Sequence, residues 1–255
     1  PKQRKIKQAL KNIFGLAYFA FAIEVRQEIG EIKEKCLALL QEEKFTSFKI
    51  FTKRSKKEFP LTSQQINEKI GAHIVEELDK KVDLTKPDLT CYVEIVEKYA
   101  FVYLKKIKGP GGLPVGVSGR AISLLSGGID SPVASFYALK RGIRIIFLHF
   151  HSAPYTSEAS ITKVKKLAVI LSKWQIRTKL YLVPFADIQK EILLKTPEKF
   201  RVVLYRRFMM RIAEQIALKE KALALVTGEA IGQVASQTIE NIRAIEEAAS
   251  LLILR

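Results

Sequence analysis

Hydrophobic positions along this chain follow two rhythms, and the change between them falls near residue 109. In the first half short helical and alternating stretches succeed one another. Residues 5–14 have helical spacing, and residues 17–25 (AYFAFAIEV) read as a strand. Residues 28–43 read as an amphipathic helix carrying Ile29, Ile32, Cys36 and Leu39 on one stripe. Residues 48–54 alternate as a strand does, and residues 63–78 form a helix with Ile66, Ile70 and Ile74 inward. Residues 81–90 are a turn-rich loop, and residues 91–107 predict two strands turning near Glu97 and Lys98. Small units of this kind predict an α+β arrangement.

Residues 109–119 (GPGGLPVGVSG) hold five Gly and two Pro in eleven positions, which excludes the interior of a regular element. This stretch is expected to be a linker, a fixed connector more than a loose tether. Beyond it the strands become continuous apolar runs, as strands buried on both faces require: residues 121–125, 143–150, 175–185 and 222–228. Helices are expected between them to residue 140, over 157–173, 187–194 and 198–219, and over 238–248 before the closing LLILR. Strand–helix alternation with buried strands predicts an α/β domain, a doubly wound parallel sheet, preceded by the small α+β part. Ligands of such sheets sit at the carboxyl ends of the strands.

Charge adds a partner. The 255 residues carry 43 Lys and Arg against 26 Asp and Glu, a net +17, and the excess is shared: 22 against 15 through residue 115, 21 against 11 after it. Such a surplus fits a polyanion, nucleic acid foremost, with a lysine-rich soluble surface as the plain alternative. The densest clusters are Lys53, Arg54, Lys56 and Lys57 at a strand end, and Lys105, Lys106 and Lys108 before the glycine-rich stretch. Beside aromatics and turns they suit phosphates of folded RNA. Two Cys exclude a disulfide framework, and the absence of a long apolar run or a signal-peptide core leads to the expectation of a cytoplasmic protein with no membrane partner.

The chemistry concentrates in LLSGGIDSPVA, residues 124–134. Gly127 and Gly128 are expected to let the backbone approach a ligand and to take conformations closed to other residues. Ser126 and Ser131 supply hydroxyls, and the helix that follows aims its free N–H groups at the loop. This is a pyrophosphate-sized anion site without the GxxxxGK[ST] lysine, so it is no Walker loop. Asp130 would repel a bare phosphate and makes sense if Mg²⁺ bridges it to the phosphates. A strand-to-helix turn of purely structural purpose is the alternative. His149 and His151 share a strand face with Glu158 nearby, but the spacing makes a weak metal site, and no protein metal site is assigned.

SGGIDSPVA resembles the PP-loop of the ATP pyrophosphatases, which cleave ATP between its α- and β-phosphates. Residues 147–158, 205–214 and 227–245, with residues 53–67 and the KIKGPGG segment, are similar to the tRNA 4-thiouridine synthetases over essentially the whole chain. The resemblance implies a partial ferredoxin-like domain over residues 1–27, a THUMP RNA-binding domain over 28–108, the linker, and a PP-loop domain over 120–255. It implies adenylation of the C4 oxygen of uridine 8 in tRNA with release of pyrophosphate, after which a persulfide displaces AMP. By the same resemblance Leu124, Leu125, His149, Phe150, Arg206, Gly228 and Gln237 join Ser126, Gly127, Gly128, Asp130 and Ser131 in holding ATP and Mg²⁺, and Asp130, Ser126 and Ser131 serve the chemistry. The partners implied are the tRNA acceptor end, a persulfide-carrying donor such as a cysteine desulfurase, and a second copy in a homodimer.

The chain departs from the family pattern in one respect. The family's reactive Cys belongs to the PP-loop domain, and residues 116–255 hold none. The reading is therefore of a piece that stops before that Cys, able to bind ATP and tRNA but not to complete sulfur transfer alone. The competing readings are a PP-loop enzyme with another tRNA target or an amidotransfer reaction, and an RNA-binding protein with an inactive nucleotide pocket.

Overall fold

A computed structural model of the chain describes residues 2–55, 58–153, 158–232 and 237–255, with the backbone alone at residue 158. It divides into two compact units, Tyr18–Lys108 and the combination of Pro1–Ala17 with Gly109–Arg255. The chain opens with α1 (Lys2–Leu10), which buries none of its residues. The helical spacing does not carry to Phe14. That ring instead leaves the helix, is 3% exposed, and stacks on Trp174 at 4.5 Å.

In the smaller unit the expected strand over residues 17–25 splits in two, because its halves take different partners. β1 (Tyr18–Phe19) pairs antiparallel with β7 (Ile107–Lys108). β2 (Ile23–Val25) joins a five-stranded mixed sheet ordered β2-β6-β5-β3-β4. The rest of that sheet is β3 (Ser47–Arg54), β4 (Lys81–Val82), β5 (Leu89–Ile95) and β6 (Ala100–Tyr103). The helices α2 (Ile29–Gln41) and α3 (Ser63–Leu78) bury Ile32, Cys36, Leu40, Ile66, Ile70 and Ile74 with Phe48, Ile50, Cys91 and Val93 of the strands. The turn-rich stretch is built as its residues dictate: the Asp83 carboxylate accepts from the backbone N–H groups of Thr85 and Lys86, both at 2.9 Å.

The larger unit is the doubly wound sheet. β8 (Arg120–Leu124), β9 (Arg144–His151), β10 (Leu180–Pro184), β11 (Ala224–Val226) and β12 (Leu252–Leu254) are all parallel, in the order β10-β9-β8-β11-β12. Between them run α4 (Asp130–Lys140), α5 (Glu158–Ser172), α6 (Ala186–Lys195), α7 (Glu198–Glu220) and α8 (Ile239–Glu246). Alternate strand residues feed two cores. Ala121, Ile145 and Phe147 pack with α4 and α5, and Ile122, Ile146 and Leu148 pack with α7 and α8. The strand expected from residue 175 begins only at Leu180. Gln175 instead pairs with the strand through its side chain, accepting from Ile145 N at 3.1 Å and donating to Ile145 O at 2.9 Å.

The glycine-rich stretch is an ordered part of this unit. Gly111 N donates to Leu16 O, Leu113 N to Lys140 O and Gly116 N to Gly142 O. A Cβ at Gly112, where φ is +77°, would stand 2.4 Å from Lys140 O, so the chain can pass there only as glycine.

The start of α3 is fixed by a reciprocal cap: Thr62 Oγ1 accepts from Gln65 N at 3.2 Å, and Gln65 Oε1 accepts from Thr62 N at 2.8 Å. Thr62→Ala should lower stability by about 1 kcal/mol in urea unfolding. An unchanged midpoint would show the cap to be idle.

Candidate active site

The strand order reverses between β8 and β11, since β8 runs on through α4 to one neighbour while β11 comes back on the other side. Their carboxyl ends open the crevice where ligands of such sheets bind. The loop 125–129 leaves one end, and Thr227, Gly228 and Glu229 leave the other.

Serines shape the loop. Ser131 Oγ accepts from Ser126 N at 2.8 Å and lies 2.9 Å from Ser126 Oγ, which in turn accepts from Gly128 N at 3.2 Å. Behind them Ser135 Oγ donates to Ser131 O and meets Ser123 Oγ, both at 2.7 Å. The conformational part of the expectation for Gly127 and Gly128 is not found: neither has a positive φ. A Cβ on Gly128 would sit 3.4 Å from Ser126 Oγ and one on Gly127 3.5 Å from Lys163 Cδ, both ordinary van der Waals contacts, so within the protein neither position demands glycine for room. At Gly228 the requirement is absolute. A Cβ there would meet Ser131 N at 2.3 Å and the Asp130 carbonyl carbon at 2.6 Å.

Together these residues line a cavity of about 390 Å³, formed by Leu124, Ser126, Asp130, Ser131, Arg206 and Met209 with Met210, Thr227, Gly228, Glu229 and Gln237. Seven of the expected nucleotide residues thus converge from four separate chain segments. Asp130 opens α4, where a carboxylate also complements the helix dipole. Arg206, on α7, forms an ion pair with Glu229, and Arg255 Nε approaches the same carboxylate at 3.7 Å. Burial pulls the Arg206 guanidinium below its usual value. Glu229 and Thr227 were not singled out in the sequence. The signal for them was their place in the stretch 227–245 that carries the resemblance, beside Gly228.

The remaining expected residues stand around the cavity. Leu125 is buried in the core beneath the loop, and Phe150 packs edge-on against Phe185 at 5.4 Å. His149, 7% exposed, braces the loop from behind: Nδ1 donates to Leu125 O at 2.9 Å, and Nε2 lies 3.4 Å from Ser160 Oγ of α5. Among the described residues no three His, Cys, Asp or Glu gather as metal ligands; a Mg²⁺ arriving with phosphates would find a hard oxygen ligand in Asp130.

In the smaller unit Lys53 and Lys108 are exposed, whereas Arg54 Nη1 donates to Phe59 O and Leu61 O at 3.2 and 2.7 Å and so holds the loop after β3. Lys105 pairs with Glu43 at 2.6 Å, and Lys106 lies over the Tyr92 ring at 4.0 Å and the Tyr18 ring at 4.8 Å. Lys56 and Lys57 lie outside the described residues. Cys36 and Cys91 are fully buried, and the Cys36 thiol is pushed well up by its hydrogen bond to Cys91 and by burial.

Residues 116–255 match the family model described as "Thiamine biosynthesis protein (ThiI)", more than half of the chain, and residues 26–105 match that of the THUMP domain. The chain belongs to the ThiI family. Similar proteins include the probable tRNA sulfurtransferases of Brevibacillus brevis, 44% identical, and Thermus thermophilus, 43% identical, each matched over 98% of this chain. This ThiI-family chain spans 63% and 61% of the length of those two curated relatives. A 4-thiouridine synthetase–RNA complex with bound ATP superposes with a TM-score of 0.88 at 37% identity, covering 98% of this chain and 67% of that one. The PH1313 protein of Pyrococcus horikoshii, at 23% identity and a TM-score of 0.77 over 98% of this chain and 74% of its own, shares the fold. No described helix is long and apolar enough to cross a membrane.

Two outcomes test this geometry. Gly228→Ala should destabilise the fold by about 1–3 kcal/mol and abolish nucleotide binding, read by denaturation and titration. A full-strength binder would mean the two strand ends are not locked together. Burial lowers the His149 pKa from 6.5, more than the hydrogen bond to Leu125 raises it, and nearby His151 adds to the lowering. The unfolded chain therefore takes up that proton first, and the stability contributed by neutral His149 is present above pH 6.5 and lost as pH falls below it. Between pH 7.5 and 5.5 the wild type should lose more in Tm than His149→Asn; parallel losses would contradict the assignment.

Proposed function

We propose that this chain carries the activation half of tRNA 4-thiouridine synthesis. The C4 oxygen of uridine 8 attacks the α-phosphorus of ATP, the bond to the β-phosphate breaks, and pyrophosphate leaves. The uracil oxygen is a poor leaving group, and adenylation converts it into AMP, which a persulfide sulfur can displace at C4. The observation that carries this reading is the convergence of Ser126, Asp130, Ser131, Arg206, Gly228 and Gln237 on one cavity at the strand-order reversal. A similar protein binds both RNA and ATP, which supports the pairing of substrates.

The chain's own groups have distinct tasks on this reading. The loop N–H groups and the α4 N-terminus stabilise the departing pyrophosphate. The Ser131 hydroxyl keeps the loop closed on the phosphates. Arg206 turns from Glu229 toward the anion, and Arg255 remains to balance that carboxylate. Asp130 would hold a Mg²⁺ that accompanies the nucleotide, and the ion would supply charge neutralisation. The THUMP-like part holds the acceptor end of tRNA, with Lys53 and Lys108 on its phosphates. Cys36 and Cys91 are both buried, and on the family resemblance a persulfide carrier such as a cysteine desulfurase is the source of the sulfur. A second copy, as the family resemblance implies, presents the RNA to this site.

Pyrophosphate release from ATP should depend on tRNA. Asp130→Ala should cut it about 100-fold or more while RNA affinity holds. Lys53→Ala with Lys108→Ala should instead weaken RNA binding and reduce its salt slope by about one unit per lost phosphate contact. Release that is indifferent to tRNA, or untouched by Asp130→Ala, would refute the assignment.

A further inference from the structure

The loop has no lysine of its own, although a leaving pyrophosphate needs a cation beside it. We propose that Lys163 supplies that cation, binding the β- and γ-phosphates of ATP from α5; this rests on the adenylation reading above. The sequence gives no hint of it, since 35 intervening residues separate Lys163 from Gly127.

Two observations place Lys163 at the loop. Its Cδ lies 3.5 Å from where a Cβ on Gly127 would stand. The aliphatic stem therefore lies across the bare glycine, and the ammonium is two bonds further on. Independently, α5 is tied to the same loop one turn earlier. Ser160 Oγ reaches His149 Nε2 at 3.4 Å, and His149 Nδ1 holds Leu125 O at 2.9 Å. Ser160 and Lys163 are three apart and share a helix face. The face that buries Val164, Ala168 and Leu171 fixes the rotation of the helix. Lys163 itself is exposed and has no acidic partner among the described residues, so it can join Arg206 on the phosphates.

The arrangement differs from a Walker loop in where the charge is kept. There the lysine belongs to the loop; here the loop gives only N–H groups and hydroxyls, and the flexible cation leans in from the next helix. A charge-assisted contact of this kind is worth about 1.5–3 kcal/mol, or a roughly 10- to 100-fold change in affinity.

The test uses the full chain and three probes: inorganic pyrophosphate, α,β-methylene-ATP and AMP, each titrated calorimetrically with Mg²⁺. Lys163→Met should weaken pyrophosphate and the ATP analogue at least about 10-fold and leave AMP unchanged, and Lys163→Arg should recover most of the loss. Equal pyrophosphate affinity in wild type and Lys163→Met would overturn the proposal. So would an equal loss for AMP, which would mark a structural effect. If the wild-type chain bound neither ATP analogue nor pyrophosphate, the adenylation reading itself would fail, and this proposal with it.

Discussion

The close approach of Gly228 to the backbone of Asp130 and Ser131 is the constraint on which the site depends. It brings the end of β11 against the first turn of α4, with no room for even a methyl group between them. Two strand ends that belong to different halves of the sheet are thereby locked into one wall, and the crevice at the reversal of strand order becomes a defined cavity. The serine ladder Ser126–Ser131–Ser135–Ser123 continues the lock into the buried interior. Each hydroxyl there finds a partner, which is what makes a polar chain tolerable beneath an anion site.

Electrostatics then decides what the cavity can hold. Carboxylates at Asp130 and Glu229 would discourage an anion on their own. Glu229 is already matched by Arg206 and Arg255, so its effect is to keep cations at the rim rather than to repel phosphate. Asp130 sits where the helix terminus offsets its charge. Arg255 gives Glu229 a second cationic neighbour besides Arg206. The high net charge of the chain, +17, works at longer range by favouring a polyanionic partner.

Much of this was legible in the sequence because it is local. The loop, its flanking strand and its helix are contiguous, and the apolar runs of β8, β9 and β11 announce a sheet buried on both faces. The family resemblance supplied Arg206 and Gln237, which composition and periodicity could not have marked. What stayed hidden depends on tertiary neighbours. Glu229 is meaningful only once α7 brings Arg206 beside it, and Lys163 only once α5 is packed beside the loop. The division of residues 17–25 into two strands followed from a change of pairing partner, which no alternation pattern records. Gly127 and Gly128 were read as giving close approach to a ligand and conformational freedom, and the second is not used, since neither has a positive φ.

The most direct measurement is the position of the nucleotide in crystals of this chain grown with MgATP. The account predicts the triphosphate laid along residues 126–131, its α-phosphate facing the cavity bounded by Gly228 and Arg206. Nucleotide bound at any other place, with that loop bare, would contradict it.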